Sequence, residues 1–84
     1  MEILAGKARK YYRKISVASI EVFESLKLGD IIHIKGHVTD FDQEIRSIEI
    51  CNVSVREVGK GQTAGIKMTD YVRKNDLIYR VDNT

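Results

Sequence analysis

The sequence of 84 residues has no proline, no tryptophan and one cysteine. Without proline its corners must be made by other turn-forming residues, and without tryptophan the largest core anchor is missing. The lone Cys51 excludes an internal disulfide, which leads to the expectation of a reducing, cytoplasmic setting. Long apolar runs are absent too. No 18 consecutive residues are apolar and Met1-Glu2-Ile3-Leu4-Ala5-Gly6 carries no export signal, so no membrane partner is expected. No Gly-x-x-x-x-Gly-Lys-Ser/Thr phosphate loop occurs, which argues against GTP as a partner.

What is present fits one small domain. A chain of this length buries roughly 60–65% of its unfolded surface, enough for a core with little to spare. The formal net charge of +2 is too slight to imply a nucleic-acid partner by itself.

One pattern organises the chain. Leu26-Lys27-Leu28-Gly29-Asp30-Ile31-Ile32 reads as a tight turn feeding a strand. Gly29 takes positive φ without steric cost, and Asp30 can bond back to nearby amides. The pattern returns in Val72-Arg73-Lys74-Asn75-Asp76-Leu77-Ile78, with Asn in the Gly slot, and more loosely in Val58-Gly59-Lys60-Gly61-Gln62-Thr63-Ala64. Three turn-then-strand units predict an all-β barrel or sandwich of short strands.

In chain order, Ile3 to Ala8 reads as a first strand with a bulge or close approach at Gly6. Alternation through Ala18, Ile20 and Val22 predicts a second strand, hairpinned to the first near Arg13. A helix over Val17 to Leu28 is the competing reading. Ile32, Ile34, Gly36 and Val38 are expected on one face of the next strand, with His33, Lys35 and His37 on the other. Thr39 to Gln43 reads as a polar connection plugged by Phe41. Glu44 to Val55 is the longest strand candidate, its two parity switches implying bulges. Val55 to Gly61 is irregular, tucking Val58 inward. Strands over Ala64 to Met68 and Leu77 to Val81 complete the chain, and Asp82-Asn83-Thr84 reads as a frayed end.

The best candidate for function is the basic run Lys7, Arg9, Lys10, Arg13 and Lys14 around Tyr11 and Tyr12. Cations neutralise phosphates and tyrosine faces stack unpaired bases, so the combination suits single-stranded RNA. On a regular strand Lys7, Arg9, Tyr11 and Arg13 would share a face. The alternative is a solvated hairpin whose lysines protect an edge from aggregation. His33 and His37 lie about 13 Å apart if both are on one strand, too far to share a metal ion, and read as surface histidines. Asp40, Asp42 and Glu44 would point one way on a strand. They lack the remainder of a calcium loop and read as an acidic loop tip. Cys51 reads as a tolerated thiol. No catalytic set, metal site or cofactor is expected.

An ordered set of segments carries a resemblance: Gly6-Lys7-Ala8, Val17-Ala18-Ser19-Ile20, Leu26 through His37, Ser47-Ile48-Glu49-Ile50, Gly61 through Lys67 and Asn75-Asp76-Leu77-Ile78-Tyr79. Together they resemble domain 2 of translational GTPases such as elongation factor Tu, and the small free-standing translation-elongation-factor-like proteins. They are equally similar to the C-terminal barrel of collagenase-like peptidases, where Ile32-His33-Ile34-Lys35-Gly36-His37 and Gly65-Ile66-Lys67 recur. The resemblance implies a six-stranded closed Greek-key β-barrel acting as a non-catalytic accessory. On the first kinship its partner would be tRNA, rRNA or a translation-related protein; on the second, a peptidase-type protein. The chain departs from the translation pattern at Gly61-Gln62 and Asn75-Asp76, where that family prefers Gly-Asp, and lacks its Arg-Gly-rich segment. No tRNA-contacting residue is carried over.

Overall fold

Strand β1 (Glu2–Tyr12) and strand β2 (Val17–Val22) form the expected hairpin, turned at residues 13–16 with Ser16 at φ 56°. The computed structural model describes residues 1–82; Asn83 and Thr84, assigned above to a frayed end, lie outside the described residues. Ala18, Ile20 and Val22 are buried, as their alternation requires, and no part of Val17 to Leu28 is helical. Two irregularities bend β1. One lies between Leu4 and Gly6, where the chain crowds Ile20 and the Glu21 carbonyl; the other lies between Ala8 and Lys10. An extra residue in one strand increases local twist, which lets a long strand serve both sides of a curling sheet.

The three repeated segments are one structure built three times. In the first, Asp30 N–H donates to the Lys27 carbonyl (3.1 Å) and the Asp30 carboxylate accepts from Lys27 N–H (3.0 Å), with Gly29 at φ 92°. In the second, Asp76 N–H donates to the Arg73 carbonyl (3.0 Å) and its carboxylate accepts from Arg73 N–H (2.8 Å), with Asn75 at φ 76°. In the third, Gln62 N–H donates to the Gly59 carbonyl (3.2 Å) and Gln62 Oε1 accepts from Gly59 N–H (2.7 Å), with Gly61 at φ 89°. Each turn needs a left-handed third residue and a fourth residue whose side-chain oxygen reaches back. The turns feed β4 (Ile31–Lys35), β10 (Leu77–Val81) and β9 (Thr63–Lys67) respectively.

The remaining strands are β3 (Leu26–Lys27), β5 (Asp40–Glu44), β6 (Ile48–Ile50), β7 (Val53–Val55) and β8 (Glu57–Val58). Eight strands make an antiparallel sheet in the order β5-β4-β10-β1-β2-β9-β6-β7, and β3 pairs with β8 apart from it. A flat sheet would be one strand thick, but the shortest dimension is 20 Å. The sheet therefore curls around its apolar face. Ile20, Ile32, Ile34, Ile66 and Ile78 are completely buried there, each burial contributing roughly 1.5–3 kcal/mol.

The closed six-stranded barrel expected above does not form. The outer strands β5 and β7 are not paired with each other, so among the described residues no continuous ladder runs round the sheet. Across the gap from β5 to the end of β9 a side chain substitutes for backbone pairing. Gln43 Nε2 donates to the Lys67 carbonyl (2.8 Å), and Gln43 Oε1 accepts from Thr69 N–H (2.7 Å).

Other expectations change with the turns. The parity switches after Glu44 are not bulges in a long strand. Cys51 and Asn52 both have positive φ (50° and 65°), the requirement of a two-residue type I′ hairpin turn, and split the segment into β6 and β7. The supposed connection Thr39 to Gln43 is largely strand β5, because its alternation pairs it with β4. Val38 is 68% exposed instead of sharing the inner face of β4, which stops at Lys35. Asp82 is not frayed: its N–H donates to the Met1 carbonyl (2.8 Å), and the Met1 amino group donates to the Asp82 carbonyl (3.1 Å).

Candidate functional site

The irregularity between Ala8 and Lys10 decides what the basic run presents. It changes the phase of β1, so Lys7, Arg9, Tyr11 and Arg13 do not share the face that unbroken alternation gives them. Arg9 and Lys10 are both exposed. Arg9 Nη1 is paired with Glu21 Oε1 at 2.9 Å, and the Lys10 ammonium sits over the Tyr12 ring at 4.9 Å from its centroid. Tyr11 instead turns toward the core and packs against it. Lys7 is half-buried and Lys14 is exposed in the turn.

Tyr11 leads to residues that sequence reasoning did not single out. Its ring meets Tyr71 at a centroid distance of 5.0 Å and an interplanar angle of 55°. Tyr71 belongs to the segment between β9 and β10, which docks on β1 through Ala8 N–H to the Asp76 carbonyl (2.8 Å) and Asn75 N–H to the Ala8 carbonyl (2.8 Å). Two guanidiniums lie over the same Tyr71 ring, Arg73 at 4.7 Å and Arg13 at 5.5 Å from its centroid. Cations over tyrosine faces are attracted by the ring quadrupole, by about 0.5–1 kcal/mol each at exposed sites. Arg73 Nη1 also donates to Thr39 Oγ1 at 3.1 Å, and Thr39 is buried. The only hint of this cluster in the sequence was the basic pair Arg73-Lys74 inside the second turn repeat.

At the hairpin tip, Tyr12, Ile15, Val17 and Gly65 border an open groove of about 480 Å³ with largely apolar walls. Cys51 lies at its rim as an exposed free thiol.

A separate polar cluster surrounds His33, which is not the simple surface histidine expected. Its Nδ1 lies 2.8 Å from Glu2 Oε2 and its Nε2 lies 2.5 Å from Asp40 Oδ1, with Asp42 Oδ1 at 3.9 Å. The side chain is only 15% exposed, and the ring packs near Tyr79. The hydrogen bond to Asp40 leads the causes that raise the imidazole pKa above its ordinary 6.5; burial opposes it, and Glu2 and Asp42 add to the rise. The same bond holds the Asp40 carboxyl below its usual range. Asp40, Asp42 and Glu44 do project together as a strand requires, but from β5 and not from a loop tip. His37 lies beyond the end of β4 and is exposed. A ring that donates from both nitrogens to carboxylates has neither free to take a proton from a substrate.

No family model matches the chain. In sequence it is 36% identical to an uncharacterized protease of Methanocaldococcus jannaschii over 84 residues, covering 99% of this chain and 21% of that protein. It is 34% identical to a collagenase of Porphyromonas gingivalis over 83 residues, covering 96% of this chain and 20% of the collagenase. The chain thus spans about one fifth of the length of these relatives. Its fold matches the crystallised C-terminal domain of a Geobacillus thermoleovorans protein assigned to the U32 peptidases. That match has a TM-score of 0.88 at 16% identity, over 94% of this chain and 92% of that one. These findings overturn the identification as a translation-elongation-factor-like protein and leave a tRNA or rRNA partner without support. Along nearly its whole length this chain is similar to one segment of collagenase-like proteases, and it has the fold of a U32 peptidase C-terminal domain.

Proposed function

We propose that this chain is a non-catalytic β domain that serves a collagenase-like peptidase as an accessory, protein-binding module. One observation carries the reading: nearly all of the chain aligns with about one fifth of a protease, and the same fold has been crystallised as a separate C-terminal domain. The chemistry agrees, since His33 is engaged at both nitrogens by carboxylates. The module's contribution is then a surface and not a reaction.

The test mixes the purified chain, after nuclease treatment, with the catalytic part of a collagenase-like peptidase from the same genome. Co-elution on size exclusion and saturable binding by calorimetry are expected. Failure to bind that peptidase, or peptide hydrolysis by the pure chain alone, overturns the reading.

A further inference from the structure

Among the described residues, Arg9, Arg46 and Arg80 each have a carboxylate partner, and His33 has several. Arg13, Arg56 and Arg73 have none there, and of these three Arg13 and Arg73 converge on one tyrosine ring. Each is attracted to the ring quadrupole, which leaves its N–H donors available to an incoming anion. The surroundings also fix Arg73 in place. Arg73 is anchored through Nη1 to buried Thr39, and its backbone N–H is fixed by the Asp76 carboxylate. The nearby Asp70 bonds back to the Tyr71 amide (2.7 Å) and forms no ion pair with either arginine. Because the planar fork of a guanidinium matches a carboxylate with two parallel N–H···O bonds, a fixed arginine with free donors is a preformed carboxylate receptor.

We propose that Arg13 and Arg73, seated on Tyr71, form a docking site for the carboxylates of an acidic protein segment, which on the function proposed above belongs to the peptidase's catalytic part. A phosphate would fit the forks equally well, but a nucleic acid also needs rings on which its bases can stack. Here Tyr71, 41% exposed, already carries both guanidiniums and Tyr11, Tyr11 packs on the core, and the exposed Tyr12 ring lies under the Lys10 ammonium. Two residues along from Arg13, Ile15 is 56% exposed beside the apolar groove, and Tyr12 is 44% exposed there. Arginine and tyrosine beside exposed aliphatic surface is the composition of a protein-interface centre. The partner segment is therefore acidic with apolar residues alongside.

The experiment titrates the full chain by fluorescence anisotropy against three probes. These are the peptidase's catalytic part, a labelled peptide of alternating Glu and Leu, and a single-stranded oligouridylate. The variants are Arg13→Ala with Arg73→Ala, Arg73→Lys alone, and Lys60→Ala as an exposed control. Thermal melts establish that each is folded. The expected result is a loss of at least tenfold in affinity for peptidase and acidic peptide in the double variant. Arg73→Lys should give an intermediate loss, since it keeps the charge but not the fork, and Lys60→Ala should match the parent. If the double variant binds the peptidase as tightly as the parent does, this site is wrong while the accessory function stands. If the parent binds the acidic peptide through these arginines but not the peptidase, the site stands and the accessory function falls. Tighter, arginine-dependent binding of the oligouridylate than of the acidic peptide overturns the assignment to a protein carboxylate, as does a parent that binds none of the three.

Discussion

Gln43 on β5 reaches across to Thr69 just beyond β9, accepting from its N–H at 2.7 Å and its hydroxyl at 3.2 Å while donating to the Lys67 carbonyl at 2.8 Å. A single amide thus holds together two stretches that share no strand ladder. Gln43 is 9% exposed, so water cannot easily replace it. A hydrogen bond of this kind contributes about 0.5–1.5 kcal/mol. Gln43→Leu is expected to destabilise the chain by about 2–3 kcal/mol in urea unfolding, the cost of losing the Thr69 and Lys67 bonds together. Hydrogen exchange at the Thr69 amide should accelerate more than at Ile20 or Ile66, because the loss is local to the seam.

The three turns offer a comparison within one molecule. Gly29→Ala and Gly61→Ala each force an L side chain into the left-handed region and should cost about 1–2 kcal/mol. Asn75→Gly replaces a tolerated residue by a freer one and should stay within about 0.5 kcal/mol of the parent. Removing the reaching side chain should cost more at Asp76, which is 4% exposed, than at exposed Gln62. Expected losses are about 1–3 kcal/mol for Asp76→Ala and about 0.5–1.5 kcal/mol for Gln62→Ala, measured by urea unfolding. Equal losses at the two positions would refute the ranking by burial.

His33 makes stability depend on pH in a direction that can be worked out. Its pKa is raised in the folded chain, so its contribution is complete below the unfolded value near 6.5 and is lost as pH rises through the folded value. Asp40 works oppositely. Its pKa is lowered, so its contribution is present above the unfolded value near 3.8 and is lost as pH falls through the folded value. Stability from this pair is therefore greatest between those limits. The urea midpoint is expected to fall on the alkaline side in the parent and to be flat there in His33→Gln. A proton NMR titration should place the His33 midpoint above 6.5.

Gly6 sits where β1 is pressed against β2. A methyl group there would lie 2.7 Å from Ile20 Cγ2 and 2.8 Å from the Glu21 carbonyl oxygen. Backbone cannot yield as a flexible side chain can. Gly6→Ala should therefore cost about 1–3 kcal/mol by overpacking, whereas Ser19→Ala in the neighbouring strand should change stability by less than about 0.5 kcal/mol.

Local chemistry was legible in the sequence wherever it was self-contained. Gly29-Asp30, Gly61-Gln62 and Asn75-Asp76 announced their turns, and the alternation of Ala18, Ile20 and Val22 announced a strand. What escaped were effects that depend on residues distant in sequence. Cys51 and Asn52 lack the glycine that usually marks a type I′ turn, so a hairpin passed for a long bent strand. Gln43 looked like a loop residue because its partners are Lys67 and Thr69. The composition of Lys7–Lys14 was plain, but one irregularity after Ala8 sends Tyr11 inward to Tyr71 and keeps Arg9 outward beside Glu21. Tyr71 itself stood in a stretch with no periodicity, and its importance comes from which cations gather on it.

Because β1 and β10 run side by side in opposite directions, Met1 and Asp82 are joined across one strand spacing of about 5 Å. A fold whose first and last strands emerge at the same corner can be spliced into the middle of a host polypeptide with scarcely any stretch in the host's backbone. It can equally hang from a single tether, free to pivot. The face carrying Tyr71 would then be aimed by the hinge and not by the fold.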